Sequence, residues 1–359
     1  LTKNKANKIH SFFCISKVSL QLHQTWLTAL ADRKTSCIFM KKILIIQTAF
    51  IGDVILATPI IEKLHQQYPD AKLDFLLRKG NEALLQNHPL LNEVLIWNKK
   101  QNKTKNLFSA LQKIRRNKYD LVINCQRFLS TGILTAFSNG KEKIGFNKNP
   151  LAVFFTKKIK HQIADPQNFT HEVQRNHELI KHLTDAQPAL PKLYPSEANF
   201  QKVKKEKSYV CIAPTSVWFT KQLPAEKWLE LIEKLPTQQD IFLLGAPTDF
   251  DACEKIKSKS NHTKIHNLAG KLNLLESAAL MRDAKMNYVN DSAPLHLASA
   301  MNAPVTGIFC STVPNFGFTP LSTVRRVLET KEKLDCRPCG LHGFKACPKG
   351  HFKCSNIKF

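Results

Sequence analysis

The sequence predicts an α/β protein built from two doubly wound domains that face each other across a cleft. Three observations carry this. From Lys42 onward short apolar runs alternate with helical stretches; the alternation stops in a proline- and lysine-rich interval and then restarts; and 359 residues exceed the roughly 100–200 of one domain.

In the first half, residues 43–47, 72–77, 93–97 and 120–125 read as strands, each a short apolar run. Helical stretches fall near 60–67, 104–117 and 130–137. Pro59 is expected to kink or restart the first of them, because an interior proline removes a backbone donor and clashes with the preceding turn. The interval from Asp185 to Ser208 holds Pro188, Pro191 and Pro195 before a lysine-rich run, the composition of a linker. Strands then recur at 209–214, 240–245, 286–290 and 304–309, with helices near 225–235, 250–258, 274–283 and 294–301. The expected division is a first domain over 40–185, a linker over 186–208, a second domain over 209–330 and a cysteine-rich tail over 331–359. Ligands of open α/β sheets bind beyond the carboxyl ends of the strands, here the cleft between the two domains.

Residues 1–39 carry six basic residues against one acidic and precede Met40, the first methionine. They are expected to be an extension or arm ahead of the folded chain. Lys17, Gln21 and His23 interrupt the apolar stretch around them, which argues against a signal peptide and for the cytoplasm.

Lysine and arginine number 53 against 28 aspartates and glutamates, leaving +25. Such an excess points to a polyanionic partner: nucleic acid, phosphorylated glycolipid, anionic membrane surface or nucleotide. A purely solvating surface is the plain alternative. No run of 18 apolar residues escapes interruption, so membrane contact is expected to be peripheral. The glycine-rich signatures of dinucleotide-binding and P-loop enzymes are missing. His171-Glu172 lacks a second histidine four residues on, where Arg175 stands, which dismisses a zinc-protease helix. Asp249 and Asp251 form a D-x-D at a helix start, where the helix dipole already explains carboxylates.

Thr48 to Val54 (TAFIGDV) leave the first strand and open a helix. Asp53 there either caps the helix or turns its carboxylate to a substrate hydroxyl, with Gly52 permitting a close approach. In the second half Asp291, Ser292, Pro294 and His296 stand between a strand and a helix whose free N–H groups can receive a phosphate, or they form an ordinary turn. Thr215, Ser216 and Lys221 occupy a similar place after the strand at 209–214, offering hydroxyls and a point charge. In the tail, Cys336, Cys339, Cys347 and Cys354, with His342 and His351 interleaved, can satisfy tetrahedral zinc or be reduced structural thiols.

Taken together, KKILIIQTAFIGDVILATPII, TSVWFTKQLPAEKW, VNDSAPLHLASAMNAPVTGIF and the tail CRPCGLHGFKACPKGHFKC make the chain from Met40 on resemble the ADP-heptose:lipopolysaccharide heptosyltransferases of glycosyltransferase family nine. The resemblance implies a GT-B architecture of two Rossmann-like domains, an inverting transfer and no required metal. It makes Asp53 the candidate base. It places Thr48, Gly52, Thr215, Ser216, Lys221, Gly245, Asp291, Ser292, Pro294 and His296 around a nucleotide sugar. Ser292-Ala293 stands where the family often has Thr-Gly, which alters the backbone beside the phosphate. The implied acceptor is phosphorylated, Kdo-bearing lipid A at the cytoplasmic face of the inner membrane, a use for the basic surface, with Arg78, Arg127 and Arg175 as candidates to grip it. Other readings are a related transferase using another nucleotide sugar for capsule or O-antigen, and a basic nucleic-acid-binding protein. No recognition helix or base-stacking set supports the last, and no specific nucleic-acid partner is expected.

Overall fold

The computed structural model describes residues 40–163 and 169–359; the expected extension over 1–39 lies outside the described residues. The first sheet contains β1 (Lys42–Ile46), β2 (Lys72–Arg78), β3 (Glu93–Trp97), β4 (Leu121–Asn124), β5 (Glu142–Phe146) and β6 (Lys157–Ile159), ordered β3-β2-β1-β4-β5-β6. Its helices are α1 (Ile51–Gln67), α2 (Lys103–Asn117), α3 (Leu129–Ala136) and α4 (Glu172–His177), and α5 (Glu197–Val203) follows. The second sheet contains β7 (Tyr209–Ala213), β8 (Asp240–Leu243), β9 (Ile265–Asn267), β10 (Met286–Asn290), β11 (Val305–Phe309) and β12 (Arg325–Glu329), ordered β12-β11-β10-β7-β8-β9. With it run α6 (Ala225–Glu233), α7 (Phe250–Lys259), α8 (Leu274–Arg282) and α9 (Ala293–Ala300).

All strand pairs are parallel, and the two sheets share one topology: β7 lies between β8 and β10 as β1 lies between β2 and β4. The strand order reverses beside β1 and beside β7, so each sheet opens a crevice there. Ile43, Leu44, Ile45 and Ile46 are all fully buried, because helices cover both faces of a parallel sheet and its central strand becomes continuously apolar.

One expectation changes. The first helix begins at Ile51 and continues through Pro59. Pro59 cannot donate to the Ile55 carbonyl, and the Thr58 hydroxyl donates to it instead at 2.8 Å, satisfying the group that proline orphans. The chain over 185–208, expected as a linker, packs against helices of both lobes. Lys63 pairs with Asp185, the Lys192 N–H donates to the Thr58 hydroxyl, and the Tyr194 hydroxyl donates to Glu62 at 2.6 Å, so α1 holds its first part. Its second part is α5, capped by Ser196 and tied to α8 through Lys202–Glu276 at 2.8 Å.

Candidate active site

Helix α1 starts directly behind the carboxyl end of β1, and Asp53 is its third residue. Asp53 Oδ2 accepts the Phe50 N–H at 3.1 Å, so the carboxylate does satisfy the helix start, though from inside the first turn and not from the cap position. Its own backbone N–H also bonds to the carboxylate. Two cavities meet at this side chain. One of about 280 Å³ is lined by Gly52, Asp53 and Arg78 from the first lobe and by Ser216, Lys221, Asp291, Ser292 and His296 from the second. The other, about 130 Å³, is lined by first-lobe residues including Gln126, Arg127, Phe128 and Glu172. Phe50, Asp53, Phe318, Leu341 and His342 border both. Burial raises the Asp53 carboxyl above the usual carboxylate range, and the Phe50 N–H, His342 and Arg78 oppose that rise.

The second lobe presents a different carboxylate. Asp291 follows β10, is 5% exposed, and its Oδ2 binds the Lys221 ammonium at 2.7 Å and the Thr312 hydroxyl at 2.6 Å. Lys221 ends the short turn after β7, so the ion pair joins the two crevice loops and points the ammonium along the wall of the larger cavity. Ser292 precedes α9 without a side-chain cap, leaving that helix start open toward the same space.

Gly52 lines the larger cavity and also lies against the second lobe. A Cβ there would come within 2.8 Å of the His296 ring, so glycine lets α1 approach α9. His296 is buried, its Nδ1 has no partner, and burial lowers it to about 3, so it is a neutral wedge between the lobes.

Other predicted residues stand back from both cavities. Thr48 is buried and donates to Gln126, Gly245 packs on Asp249, the Thr215 carbonyl faces the Ser292 hydroxyl, and Pro294 lies inside the first turn of α9. Of the three arginines, Arg78 borders the larger cavity with its guanidinium 4.7 Å from the Phe50 ring, and Arg127 borders the smaller. Arg175 does not reach either. It is 4% exposed, with its donors spent on Glu172 at 2.7 Å, the Thr170 carbonyl and the Phe316 carbonyl at 2.9 Å. It therefore fastens α4 to the second lobe, and its place as an acceptor-gripping residue is withdrawn.

Comparison with known proteins gives this geometry its context. The profile of glycosyltransferase family 9 (heptosyltransferase) matches residues 107–340. The chain belongs to that family. The lipopolysaccharide heptosyltransferase 3 of Escherichia coli K12 is 32% identical over 277 residues, covering 73% of this chain and 80% of that protein. Among solved structures, a family 9 glycosyltransferase from Veillonella parvula superposes with a TM-score of 0.72 at 21% identity, covering 81% of this chain and 86% of that one. The E. coli ADP-heptose lps heptosyltransferase II gives 0.71 at 20% identity, covering 83% and 95%. The two sheets of this glycosyltransferase thus form a GT-B fold, with Asp53 in its interlobe cleft.

The cysteines of the tail were open to two readings, zinc ligands or reduced structural thiols. Cys336 Sγ lies 3.8 Å from His351 Nε2, yet among the described residues no three His, Cys, Asp or Glu side chains are arranged to hold a metal ion. Cys354 is 6% exposed and packs into the second lobe's core, and burial together with the neighbouring thiols Cys339, Cys347 and Cys336 pushes it up to about 11. What sequence reasoning missed are the apolar liners Val217, Trp218, Phe316 and Phe318 and the tail residues Leu341 and His342. The signal for His342 was in view, interleaved with the cysteines, but spacing raised only zinc or structural thiols for the tail and not the cleft.

Proposed function

We propose that this glycosyltransferase moves a heptose from ADP-heptose to the lipopolysaccharide core with inversion, and that Asp53 is its base. One observation carries the reading: Asp53 stands where a cavity walled by both lobes meets one that the first lobe chiefly builds. The larger holds the nucleotide sugar, with its diphosphate against Lys221, Ser216 and Ser292 and its base against Trp218 and Phe316. The smaller receives the acceptor.

In the reaction, the Asp53 carboxylate takes the proton of the acceptor hydroxyl as that oxygen bonds to the anomeric carbon. The bond from that carbon to the diphosphate oxygen breaks from the opposite side, and its electron pair leaves with ADP. A nucleoside diphosphate leaves without protonation when its growing charge is met by a cation and N–H donors. Lys221 and the open start of α9 supply these in this reading, which calls on no metal ion.

The outer surface fits a lipid-borne acceptor. Around α3, Phe128, Leu129, Phe137, Val153 and Phe154 are each about half exposed or more. Residues 127–160 hold seven basic side chains against one acidic. Aromatic groups rimmed by cations suit an anionic bilayer surface, here the cytoplasmic face of the inner membrane. No helix among the described residues is long and apolar enough to cross a membrane. Nucleotide release in the presence of lipopolysaccharide acceptors tests the reading. ADP-heptose should support turnover with at least a tenfold preference over UDP- and GDP-sugars, whereas equal use of another donor would reassign it. Cores with none, one or two heptoses then identify the acceptor, a comparison prompted by the name of the E. coli K12 relative.

A further inference from the structure

The ladder of β1 ends where the Gln47 N–H meets the Leu76 carbonyl at 3.2 Å, and α1 begins where the Val54 N–H meets the Phe50 carbonyl at 3.2 Å. Between them, Thr48 and Ala49 are held by side chains from four strand ends. Gln47 Oε1, at the end of β1, accepts the Ala49 N–H at 3.2 Å. Gln126, behind β4, donates to that same oxygen at 2.7 Å and accepts the Thr48 hydroxyl at 2.8 Å. Asn81, behind β2, donates to the Ala49 carbonyl at 3.0 Å, and Lys99, behind β3, donates to the Thr48 carbonyl at 2.8 Å. The next N–H along the chain, that of Phe50, is the one that meets Asp53 Oδ2. Lys99 is the unusual member of this set. Its strand is separated from β1 by β2, a distance of about 10 Å at ordinary strand spacing, and a long stem is needed to cross it. The ammonium lies 4.6 Å from the centre of the buried Trp97 ring, which fixes its path. The loop that carries Lys99 is fixed in turn, because Asn106 of α2 donates to the Asn98 carbonyl at 3.3 Å and the Gln101 carbonyl at 2.7 Å. Lys99 borders neither of the two cavities, so its charge serves the backbone it touches.

We infer that Lys99 is a positioning residue for the transfer: through the Thr48 carbonyl it holds the turn between β1 and α1, and with it Asp53, at the height where the two cavities meet. The inference rests on the reading of Asp53 as base. Asn81 is the second tether, one residue further along the same turn. Neither a sheet ladder nor a helix ladder reaches Thr48 and Ala49, so these tethers decide where the first turn of α1 starts. A reacting group misplaced by about 1 Å slows a reaction by about a hundredfold, which makes the start of α1 a sensitive point. A charge-assisted bond to a carbonyl is among the stronger ways to hold it.

The test compares the full chain as wild type, Lys99→Met and Lys99→Arg, each alone and combined with Asp53→Asn, by kcat, acceptor KM, ADP affinity and melting temperature. Lys99→Met keeps a stem over Trp97 and loses the donor. Its kcat should fall about tenfold, with acceptor KM and ADP affinity within about twofold of wild type, because neither ligand touches the lysine. Lys99→Arg keeps a long cationic donor and should recover most of the rate. Added to Asp53→Asn, Lys99→Met should lower the residual rate by no more than about twofold, since a residue that acts through Asp53 then has no base left to place. An unchanged kcat in Lys99→Met overturns the inference. So does a rise in acceptor KM at constant kcat, which would make Lys99 an acceptor contact, and so does the same tenfold loss in both backgrounds. Should Lys99→Met not fold, Lys99→Gln, too short to reach Thr48, is read in its place by the same criteria. Failure of the underlying reading looks different: Asp53→Asn alone would keep its turnover whatever Lys99 does.

Discussion

Two aspartates look into the same cavity from opposite lobes, and the protein treats them in opposite ways. Asp291 is locked, with one oxygen shared between the Lys221 ammonium and the Thr312 hydroxyl. Asp53 is met only by backbone N–H groups, its own and that of Phe50, with no ion pair or side-chain hydrogen bond among the described residues, and burial lifts its carboxyl. The lobes share one strand order, so topology does not make this difference; the residues set into equivalent crevices do. A paired carboxylate holds something else in place, whereas a carboxylate short of partners is available for a proton.

The largest effect should come from removing that availability. Asp53→Asn keeps the size of the side chain and can still accept the Phe50 N–H, but it cannot take up a proton. Its kcat should fall by about 10²–10⁴, while ADP affinity measured by calorimetry stays within about twofold of wild type. Turnover near the wild-type level would strip Asp53 of its role and leave the two aspartates alike. In the wild type, activity should fall with decreasing pH at values above the ordinary carboxylate range, because protonation of a raised carboxyl begins early.

Breaking the locked pair should show the other half of the contrast. Lys221→Met removes the cation and leaves Asp291 buried with only a hydroxyl, and an unpaired buried charge costs about 3–5 kcal/mol. Side chains only 14% and 7% exposed justify that range. The melting temperature should drop, and ADP affinity should weaken by about 10- to 100-fold, the worth of one charge-assisted contact to phosphate. Asp291→Asn leaves the ammonium free in the cavity, so it should lose less ADP affinity than Lys221→Met. The reverse ranking, read from the same calorimetric titrations, would make Asp291 the ligand-contacting member.

The fold was legible because central strands such as β1 and β7 are apolar on both faces, a pattern that needs no tertiary information. The edge strands were not. β6 and β9 have three residues each, and β12 carries two exposed arginines, so their pairing partners create them more than their own sequence does. Asp53 and Lys221 were legible as polar residues just behind strands. His342 was not, because the anchors that carry it to the cleft, Thr220 and Ser311, are more than thirty residues upstream of it. Arg175 misled for the converse reason: an arginine that spends its donors on carbonyls looks in sequence like one free to bind an anion.

The smallest effect tests whether the seam between the lobes is as dry as the raised Asp53 implies. Desolvation that disfavours a carboxylate there must also disfavour an imidazolium, and His296, against Gly52 of the same helix turn, is lowered to about 3. His88, His161 and His171 are likewise lowered to about 4 by burial. Above an unfolded value of about 6.5 these histidines are neutral in both states and contribute no pH dependence. Below it the unfolded chain binds protons that the folded one refuses, so stability falls as pH falls, by at most about 1.4 kcal/mol per pH unit for each histidine, until the folded values are reached. Asp53, with its raised carboxyl, opposes this by at most one proton. Denaturant midpoints between pH 7 and 5 should therefore decline for the wild type and decline less steeply for His296→Gln, which has one buried imidazole fewer. Identical slopes would mean that His296 reaches water and charges freely, and the burial invoked to raise its neighbour Asp53 would lose its support.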